Sequence, residues 1–431
     1  MMFPVSVAFG WPKIIEMEEK FNKKMQVFPY ILAGWLLDGA AGPIWKKPIV
    51  KTWDHTIVEI RSATPKDFAR GALLNLSEYT LLPGLVDSHV HLSMSGSADP
   101  SVRERQLRAS FSDARQKIRR HLSMSMVHGV AALRDGGDCR GHVLRYKREL
   151  LNDNDGSPEV KTPGRAWHAP ARYGRLVGRP PYRNCSLARS IAAGQKQADH
   201  VKIVNSGLNS LLDFGKETSP QFSLGDLKKA VLFAHKKGLK VMIHANGRNP
   251  VRDAIDSGCD SIEHGFFMGT ENLRRLADEQ ITWVPTAFTM EAYARTLPKH
   301  SRESQVARRN LDHQLDQIRL AKNFGVRIAV GTDAGSLGVH HGEAVREEIR
   351  LLLVAGLGLG EAVQSATSIG AALLGLGDRA GCLMPGSPAT FLAVRTKPER
   401  LLDALSTPER FCFKGSSLRG PRPFRDKRDA I

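Results

Sequence analysis

One stretch carries the strongest fold signal in the chain, Pro83-Gly-Leu-Val-Asp-Ser-His-Val-His91. A turn pair opens it, and a short apolar run follows that ends in two histidines, a pattern typical of a buried strand. Side chains two apart in a strand point to the same face, so we expect His89 and His91 to project together. The pair alone is weak evidence for a site, because two surface histidines would give the same pattern.

Similar runs recur along the chain with helical patterns between them, which predicts repeated βα units and a parallel sheet. The predicted strands are Leu85–His91, Val130–Arg134, Val160–Ala166, Val201–Asn205, Val241–Ala245, Ser261–Gly265, Thr282–Ala287 and Ile328–Asp333. The predicted helices include Ser101–His128, Leu224–Lys237, Pro250–Gly258, Glu271–Gln280 and Ser301–Phe324. About eight parallel strands with outer helices indicate a (β/α)8 TIM-like barrel. Gly238 and Gly325 lie where a helix C′ residue would precede the next strand.

The segments before and after these βα units have a different pattern, because short strand-like runs there lie among turn residues. We therefore expect a small β-sandwich domain formed from both chain ends, with residues 31–82 as its first part and 381–413 as its second. The barrel would occupy residues 83–380. Residues 1–30 would be an N-terminal extension, and residues 414–431, which are basic and contain Pro and Gly, a solvated tail.

The composition is that of a globular protein with an excess of positive charge. The chain has 431 residues, 42% of them hydrophobic, and a formal net charge of +18. Such a charge fits nucleic acid, an anionic substrate or simply a basic surface. We disfavour nucleic acid, because no dense basic run with interleaved aromatic residues is found.

The five cysteines form no CxxC pair, and free thiols in a long chain are typical of a reducing compartment. We found neither a run of about 18 apolar residues that could span a membrane nor a signal-peptide pattern at the N-terminus. The sequence therefore predicts a cytoplasmic protein without a membrane partner. A homo-oligomer is left open.

Metal-capable side chains end several of the other predicted strands. His244 closes Val241-Met-Ile-His244, His264 closes Ser261-Ile-Glu-His264, and Asp333 closes Ile328-Ala-Val-Gly-Thr-Asp333. A lone histidine on an apolar strand is usually a core residue with a hydrogen-bond partner, but this repeated position is hard to obtain by accident. Buried without a partner, each group would cost about 1–3 kcal/mol, whereas a shared cation would satisfy them all.

Lys202 lies within the apolar strand Val201-Lys-Ile-Val204, where a bare ammonium is costly to desolvate. A protonated lysine would also be repelled by a nearby dication. Lys202 is therefore neutral or has reacted with CO₂ to give a carbamate that bridges two metals, unless its side chain reaches the rim and stays solvated.

Together these motifs resemble the amidohydrolase superfamily, in the branch of imidazolonepropionase-like and prolidase-like metal-dependent hydrolases. The resemblance runs from about Ile31 to Phe413. The matching motifs are Leu82–His91, Gly129–Asp135, Val201–Ile203, His244–Ala245, Ile262–Gly265, Gly331–Gly335, Glu361–Thr367 and Gly381–Gly386.

The resemblance implies a role for each of these positions. His89 and His91 would bind one ion with Asp333, a carbamate on Lys202 would bridge to a second ion, and His244 and His264 would hold that second ion. Asp333 would also take a proton from the attacking water, which a metal makes acidic enough to react near neutral pH. One or two divalent ions, expected to be zinc, are the implied cofactor.

Two segments depart from the family pattern. The usual Ala-Asp pair near the C-terminus is Ala389-Thr390 here, in the predicted β-domain and away from the chemistry. The loop over residues 162–174 is longer and more polar than expected, and loops at this barrel face select the substrate. Its substrate-binding candidates are Trp167, His168, Arg172 and Tyr173, with Arg172 as the anchor for a carboxylate.

The sequence thus predicts a hydrolase that activates a metal-bound water to cleave a C–N bond in a small, carboxylate-bearing substrate such as a cyclic amide, an amide or a dipeptide. A lactonase or phosphotriesterase could use the same metal centre. A metal-free barrel kept as a scaffold is a further alternative, but no expected ligand position is missing. Fold resemblance does not fix the substrate.

Overall fold

The computed structural model describes residues 29–69, 73–151, 157–194, 196–377, 380–405, 410–413 and 416–419. Apart from its last two residues, the predicted N-terminal extension lies outside the described residues. The first described strands are β1 (Tyr30–Leu36), β2 (Trp45–Lys46), β3 (Pro48–Trp53), β4 (Thr56–Ser62) and β5 (Leu73–Pro83). A 3-10 turn, Pro65–Ala69, joins β4 to β5.

Strands and helices then alternate along the middle of the chain. The strands are β6 (Leu85–Val90), β7 (Val130–Asp135), β8 (Glu159–Lys161), β9 (Ala166–Trp167), β10 (Gly178–Arg179), β11 (His200–Val204), β12 (Lys240–Ala245), β13 (Ser261–His264) and β14 (Thr282–Val284). The helices are α1 (Pro100–Arg108), α2 (Phe111–Val127), α3 (His142–Leu150), α4 (Leu187–Gly194), α5 (Leu224–Lys236), α6 (Arg248–Asp256), α7 (Gly269–Asp278), α8 (Phe288–Thr296), α9 (Arg302–Asn323) and α10 (Glu343–Val354).

The C-terminal part adds α11 (Leu359–Ser365), α12 (Ser368–Leu373), β15 (Phe391–Val394), a 3-10 turn (Pro398–Arg400), α13 (Leu401–Ala404), β16 (Arg410–Phe413) and β17 (Ser416–Arg419). The predicted tail is therefore corrected in part, because Ser416–Arg419 pairs with β16 as an antiparallel strand. The remainder of that tail, residues 414–415 and 420–431, lies outside the described residues.

Strands from both chain ends meet in one eight-stranded sheet of order β17-β16-β15-β5-β1-β3-β4, with β2 on β1. The long-range pairing is between β15 and β5, where Phe391 lies opposite Pro83. Apolar side chains such as Ile31, Leu76 and Phe391 form its own small core. In the described residues the flanking strands thus form one hydrogen-bonded sheet.

The middle strands pair in parallel, as the βα alternation predicted. One sheet joins β6, β7 and β8, and another has the order β10-β9-β11-β12-β13-β14. β6 and β11 are buried at every residue, which is the pattern of parallel strands covered on both faces. With helices between the strands, this is a TIM-barrel-type α/β fold.

The predicted eighth strand, Ile328–Asp333, is not a regular strand. Isolated parallel bridges join Trp283 to Ile328 and Val90 to Ala334, and the Ser88 amide donates to the Val330 carbonyl at 2.8 Å. This segment therefore lies between β14 and β6 with too few consecutive pairs to form a ladder.

Local signals explain where several helices begin and end. The predicted helix Ser101–His128 is two helices, because Ser110 caps α2 by accepting from the Asp113 amide at 3.2 Å. The C′ positions predicted at Gly238 and Gly325 are confirmed by their left-handed φ values of 69° and 77°. Among the described residues, no helix is both long enough and apolar enough to cross a membrane.

Candidate metal centre

His89, His91 and Asp333 come together at the carboxyl end of β6. Their ligand atoms all lie within 4.8 Å of one another. Asp333 Oδ1 is 3.4 Å from Nε2 of His89 and 3.3 Å from Nε2 of His91. The Asp333 amide also donates to the His89 carbonyl at 2.7 Å, which fixes the segment after residue 328 against β6.

The other ring nitrogen of each of these two histidines is bonded to protein. Nδ1 of His89 is 2.8 Å from Glu263 Oε2, and Nδ1 of His91 is 3.0 Å from the Gly137 carbonyl. Both partners are acceptors, so each Nδ1 carries a proton, and in the neutral ring Nε2 keeps its lone pair. An acceptor on the far nitrogen is the usual support of a metal-binding imidazole.

His244 and His264 face the same cavity from β12 and β13. Their ring centroids are 4.6 Å apart, and that of His264 is 4.9 Å from His89. Nε2 of His244 lies 3.1 Å from the Gly207 carbonyl, which leaves Nδ1 as the lone-pair nitrogen. Nδ1 of His264 is bonded to Thr286 Oγ1 at 2.7 Å, which leaves Nε2.

Both strand alternation and local backbone conformation direct the side chains of the cluster into the cavity. His244 lies opposite Glu263 in the parallel pairing of β12 with β13, so both follow the inward face. His264 is the next residue and would alternate outward, but its φ of 68° turns the chain, and Asp333 has a φ of 56°. Such left-handed conformations cost about 1–3 kcal/mol each in residues other than glycine, and they concentrate at functional sites.

Lys202 also lines this cavity, and its side chain is only 2% exposed. No hydrogen-bond partner for Nζ is found among the described residues. Burial lowers the pKa of Lys202 to about 8, so about a tenth of the amines are neutral at pH 7. The predicted position within a buried strand is confirmed, and a snorkelling side chain does not fit this burial.

Glu263 connects the cluster to a buried cation that the sequence analysis did not single out. Nη2 of Arg134 donates to Glu263 Oε1 at 2.8 Å, while Glu263 Oε2 meets His89. Both members of the pair are buried. The sequence could have indicated this ion pair, because one acidic and one basic residue each lie inside an apolar strand, where a charge without a partner is costly.

His89, His244 and His264 favour the neutral form that binds metal. For His91, burial is outweighed by the hydrogen bond with Asp333 and the charge of that carboxylate, which together raise the pKa of His91. Burial, together with the charge of Lys202, lowers the pKa of His89 to about 4 and that of His244 to about 3. For Asp333, burial opposes ionisation, but the hydrogen bond with His91 and the neighbouring histidines hold its pKa well below its usual range.

The residues present fit a bound cation. Nε2 of His89 and Nζ of Lys202 are buried with no hydrogen-bond partner among the described residues, which is costly unless a further group meets them. A Cβ at Gly136 would come within 2.6 Å of the His91 ring and 3.2 Å of Nε2 of His89. Glycine at this position therefore keeps the space in front of both nitrogens free.

A cavity of about 150 Å³ opens from this cluster. Tyr173 lines it and lies 5.5 Å from His244, ring centre to ring centre. The structure does not bring His168 or Arg172 to its wall: His168 is buried with Nδ1 at the Ala169 carbonyl, and Arg172 is exposed and donates to the Ser219 carbonyl. Trp167 is buried outside it.

Two further residues at the cavity wall were missed from the sequence, Arg103 of α1 and Tyr293 of α8. Their approach depends on how helices pack over the strand ends. No local motif marks them.

Comparison with known proteins identifies the family of this chain. Residues 80–415 match the amidohydrolase family. Ochratoxinase of Aspergillus niger is 25% identical over 431 residues, which cover 91% of this chain and 86% of that protein. Imidazolonepropionase of a Polaromonas species is 24% identical over 366 residues, 77% of this chain and 76% of that protein.

A solved structure shows the same overall fold. The crystal structure of a Xaa-Pro dipeptidase with bound methionine superposes with a TM-score of 0.74 at 25% identity, over 91% of this chain and 99% of that one. These findings confirm the resemblance inferred from the motifs. The chain belongs to the amidohydrolase family and is a hydrolase that acts on carbon–nitrogen bonds.

Proposed function

We propose that this protein cleaves the C–N bond of a small amide, cyclic amide or dipeptide with the help of one or two divalent ions, expected to be zinc. The observation that carries the proposal is the approach of Nε2 of His89 and of His91 to the Asp333 carboxylate, with His244 and His264 on the wall of the same cavity. Neutral imidazole and carboxylate are the ligands that zinc prefers in hydrolases.

His89, His91 and Asp333 would hold one ion, and His244 and His264 a second. A divalent ion bound there supplies a Lewis acid and lowers the pKa of water to about 7 in favourable sites. Lys202 would join the two sets as a carbamate: its neutral Nζ forms a bond to the carbon of CO₂ and releases one proton. The depressed pKa of Lys202 supports this step, because only the neutral amine reacts.

Asp333 is the residue that we propose for proton transfer. Its Oδ2 accepts a hydrogen bond from Ser336 Oγ at 2.8 Å, which fixes the plane of the carboxylate. Oδ1 meanwhile faces His89 and His91. Being ionised at working pH, Asp333 can accept a proton from the attacking water and return it to the leaving nitrogen.

The position of the cluster agrees with the chemistry of this fold. We propose that the two parallel sheets belong to one eight-stranded barrel, in which residues 328–334 join β14 to β6 through bridges to Trp283 and Val90. The cluster then lies at the carboxyl ends of the strands, where barrel enzymes have their active sites.

A substrate screen tests the proposal. Metal-replete protein is offered N-acyl amino acids, Xaa-Pro dipeptides, cyclic amides, lactones and phosphotriesters, with Asp333→Asn as the control. We expect turnover of an amide that falls in Asp333→Asn. Turnover of lactones or phosphotriesters alone, or amide turnover equal in both proteins, would contradict it.

A further inference from the structure

Arg103 reaches the cavity from the helix that follows β6. Its side chain is half-buried, and Nη1 donates to the Gly335 carbonyl at 3.1 Å. Gly335 lies two residues after Asp333 in the chain, and both residues line the cavity together with Arg103. Lys202 is the other cationic residue among those that line the cavity, and it belongs to the cluster itself.

Arg103 has little of its hydrogen-bonding capacity used by protein. Within the described ranges no carboxylate lies at ion-pair distance from it, and the one hydrogen bond of its side chain goes to a neutral carbonyl. A guanidinium carries five N–H donors, so most remain for a ligand. By contrast, Arg350 contacts both Glu291 and Glu347.

The surroundings of Arg103 suit an anion attached to an apolar group. Tyr173 and Tyr293 line the same cavity, and among the described residues neither hydroxyl has a protein hydrogen-bond partner. Asp333 is the carboxylate at the cavity wall, and much of the remaining wall is apolar: Met94, Leu176, Val177, Phe266 and Met290. A planar guanidinium binds a carboxylate through paired hydrogen bonds.

We propose that Arg103 is a specificity residue that anchors the α-carboxylate of the substrate, with Tyr173 and Tyr293 as further donors. The substrate class is then an N-acyl amino acid or dipeptide with a free carboxylate and an apolar side chain. This inference rests on the proposed function for the position of the scissile bond, and it moves the anchor predicted at Arg172 to Arg103.

The test compares two ligands that differ in the carboxylate alone, N-acetyl-L-leucine and N-acetyl-L-leucinol. Binding is measured by calorimetry in metal-loaded Asp333→Asn protein, in which turnover is expected to be slow, with and without Arg103→Met. Arg105→Met is the matched control, since Arg105 is exposed on the same helix and bonds Ser101 Oγ. Arg172→Met tests the competing assignment.

We expect Arg103→Met to weaken binding of N-acetyl-L-leucine roughly 10- to 100-fold, the loss typical of a charge-assisted hydrogen-bond pair. Binding of N-acetyl-L-leucinol should change less than about twofold, and both controls should leave both ligands unaffected. Equal losses for the two ligands would make Arg103 structural and overturn the proposal. So would equal affinity of the parent protein for both ligands, or no binding of N-acetyl-L-leucine at about 10 mM.

The same ligands separate this inference from the proposed function. If the protein binds the carboxylate ligand selectively and through Arg103 but hydrolyses no amide, the proposed function is wrong and the carboxylate subsite at Arg103 stands. If the protein hydrolyses amides at rates that depend neither on the substrate carboxylate nor on Arg103→Met, the proposed function stands and the subsite at Arg103 is wrong.

Discussion

Replacing Glu263 by glutamine perturbs both the stability and the metal affinity of the site, because Glu263 joins Arg134 to His89. The carboxylate accepts from Nη2 of Arg134 at 2.8 Å and from Nδ1 of His89 at 2.8 Å. Glutamine has the same shape but no charge, and one of its two terminal atoms is a donor. Arg134, which is 3% exposed, would then keep its charge without a carboxylate partner.

The expected loss of stability follows from this burial. Removing one partner of a buried ion pair costs about 3–5 kcal/mol. With about 2.1 cal/mol/K of unfolding entropy per residue, the 431 residues give an entropy of about 0.9 kcal/mol/K. The unfolding midpoint of Glu263→Gln should therefore fall by about 3–6 °C.

Metal affinity should fall as well, through His89. If the glutamine amide faces Nδ1 of His89, that nitrogen has to accept rather than donate, and the ring proton moves to Nε2, which faces Asp333. Loss of such an outer hydrogen bond typically costs 10- to 100-fold in metal affinity.

The assays are thermal unfolding of the metal-free protein, followed by circular dichroism, and zinc binding in competition with a chelator. The matched control is Glu149→Gln, because Glu149 pairs with Arg145 on an exposed face of α3 and should lose less than about 0.5 kcal/mol. If the midpoint and the zinc affinity of Glu263→Gln equal those of Glu149→Gln, the supporting role of Glu263 is refuted.

Two further variants test the cluster directly. Asp333→Asn should keep most of the metal and lose about 10²–10⁴ in turnover, as expected for a lost general base; steady-state rates equal to those of the parent protein would refute the assignment. Lys202→Met should lower the metal content and also stabilise the metal-free protein by about 1–3 kcal/mol, because a buried amine without a partner is removed. Below pH 10.5 the folded parent protein releases the Lys202 proton before the unfolded chain does, so its stability should rise from about pH 8 upward. If stability changes with pH by the same slope in the parent protein and in Lys202→Met, the burial of the Lys202 amine is contradicted.

The strand ends of the site could be predicted because they depend on local patterns. The period of two in the stretch that ends at His91 marks two side chains on the same face, and the apolar runs that end in His244 and His264 indicate groups at the carboxyl ends of strands. Lys202 was found in the same way, since a cation inside an apolar run has few structural explanations.

Other parts depend on contacts between distant segments and have no local signal. Arg103 reaches Gly335 across 232 positions of sequence, so its place at the cavity follows from packing alone. Arg172 was predicted to be the anchor from its loop, yet the folded loop directs it to the Ser219 carbonyl. The left-handed turn at Asp333 likewise ends the segment predicted as the eighth strand, and the apolar run before it does not indicate that turn.

Metal removal tests the proposed chemistry most directly. The protein is depleted with a chelator, its fold is checked by circular dichroism, and amide hydrolysis is followed while zinc is added back in measured equivalents. We predict no turnover in the depleted protein and activity that rises in step with occupancy of the site formed by His89, His91 and Asp333, reaching its plateau at about one to two equivalents. Full turnover by a folded protein without metal would contradict the proposed function.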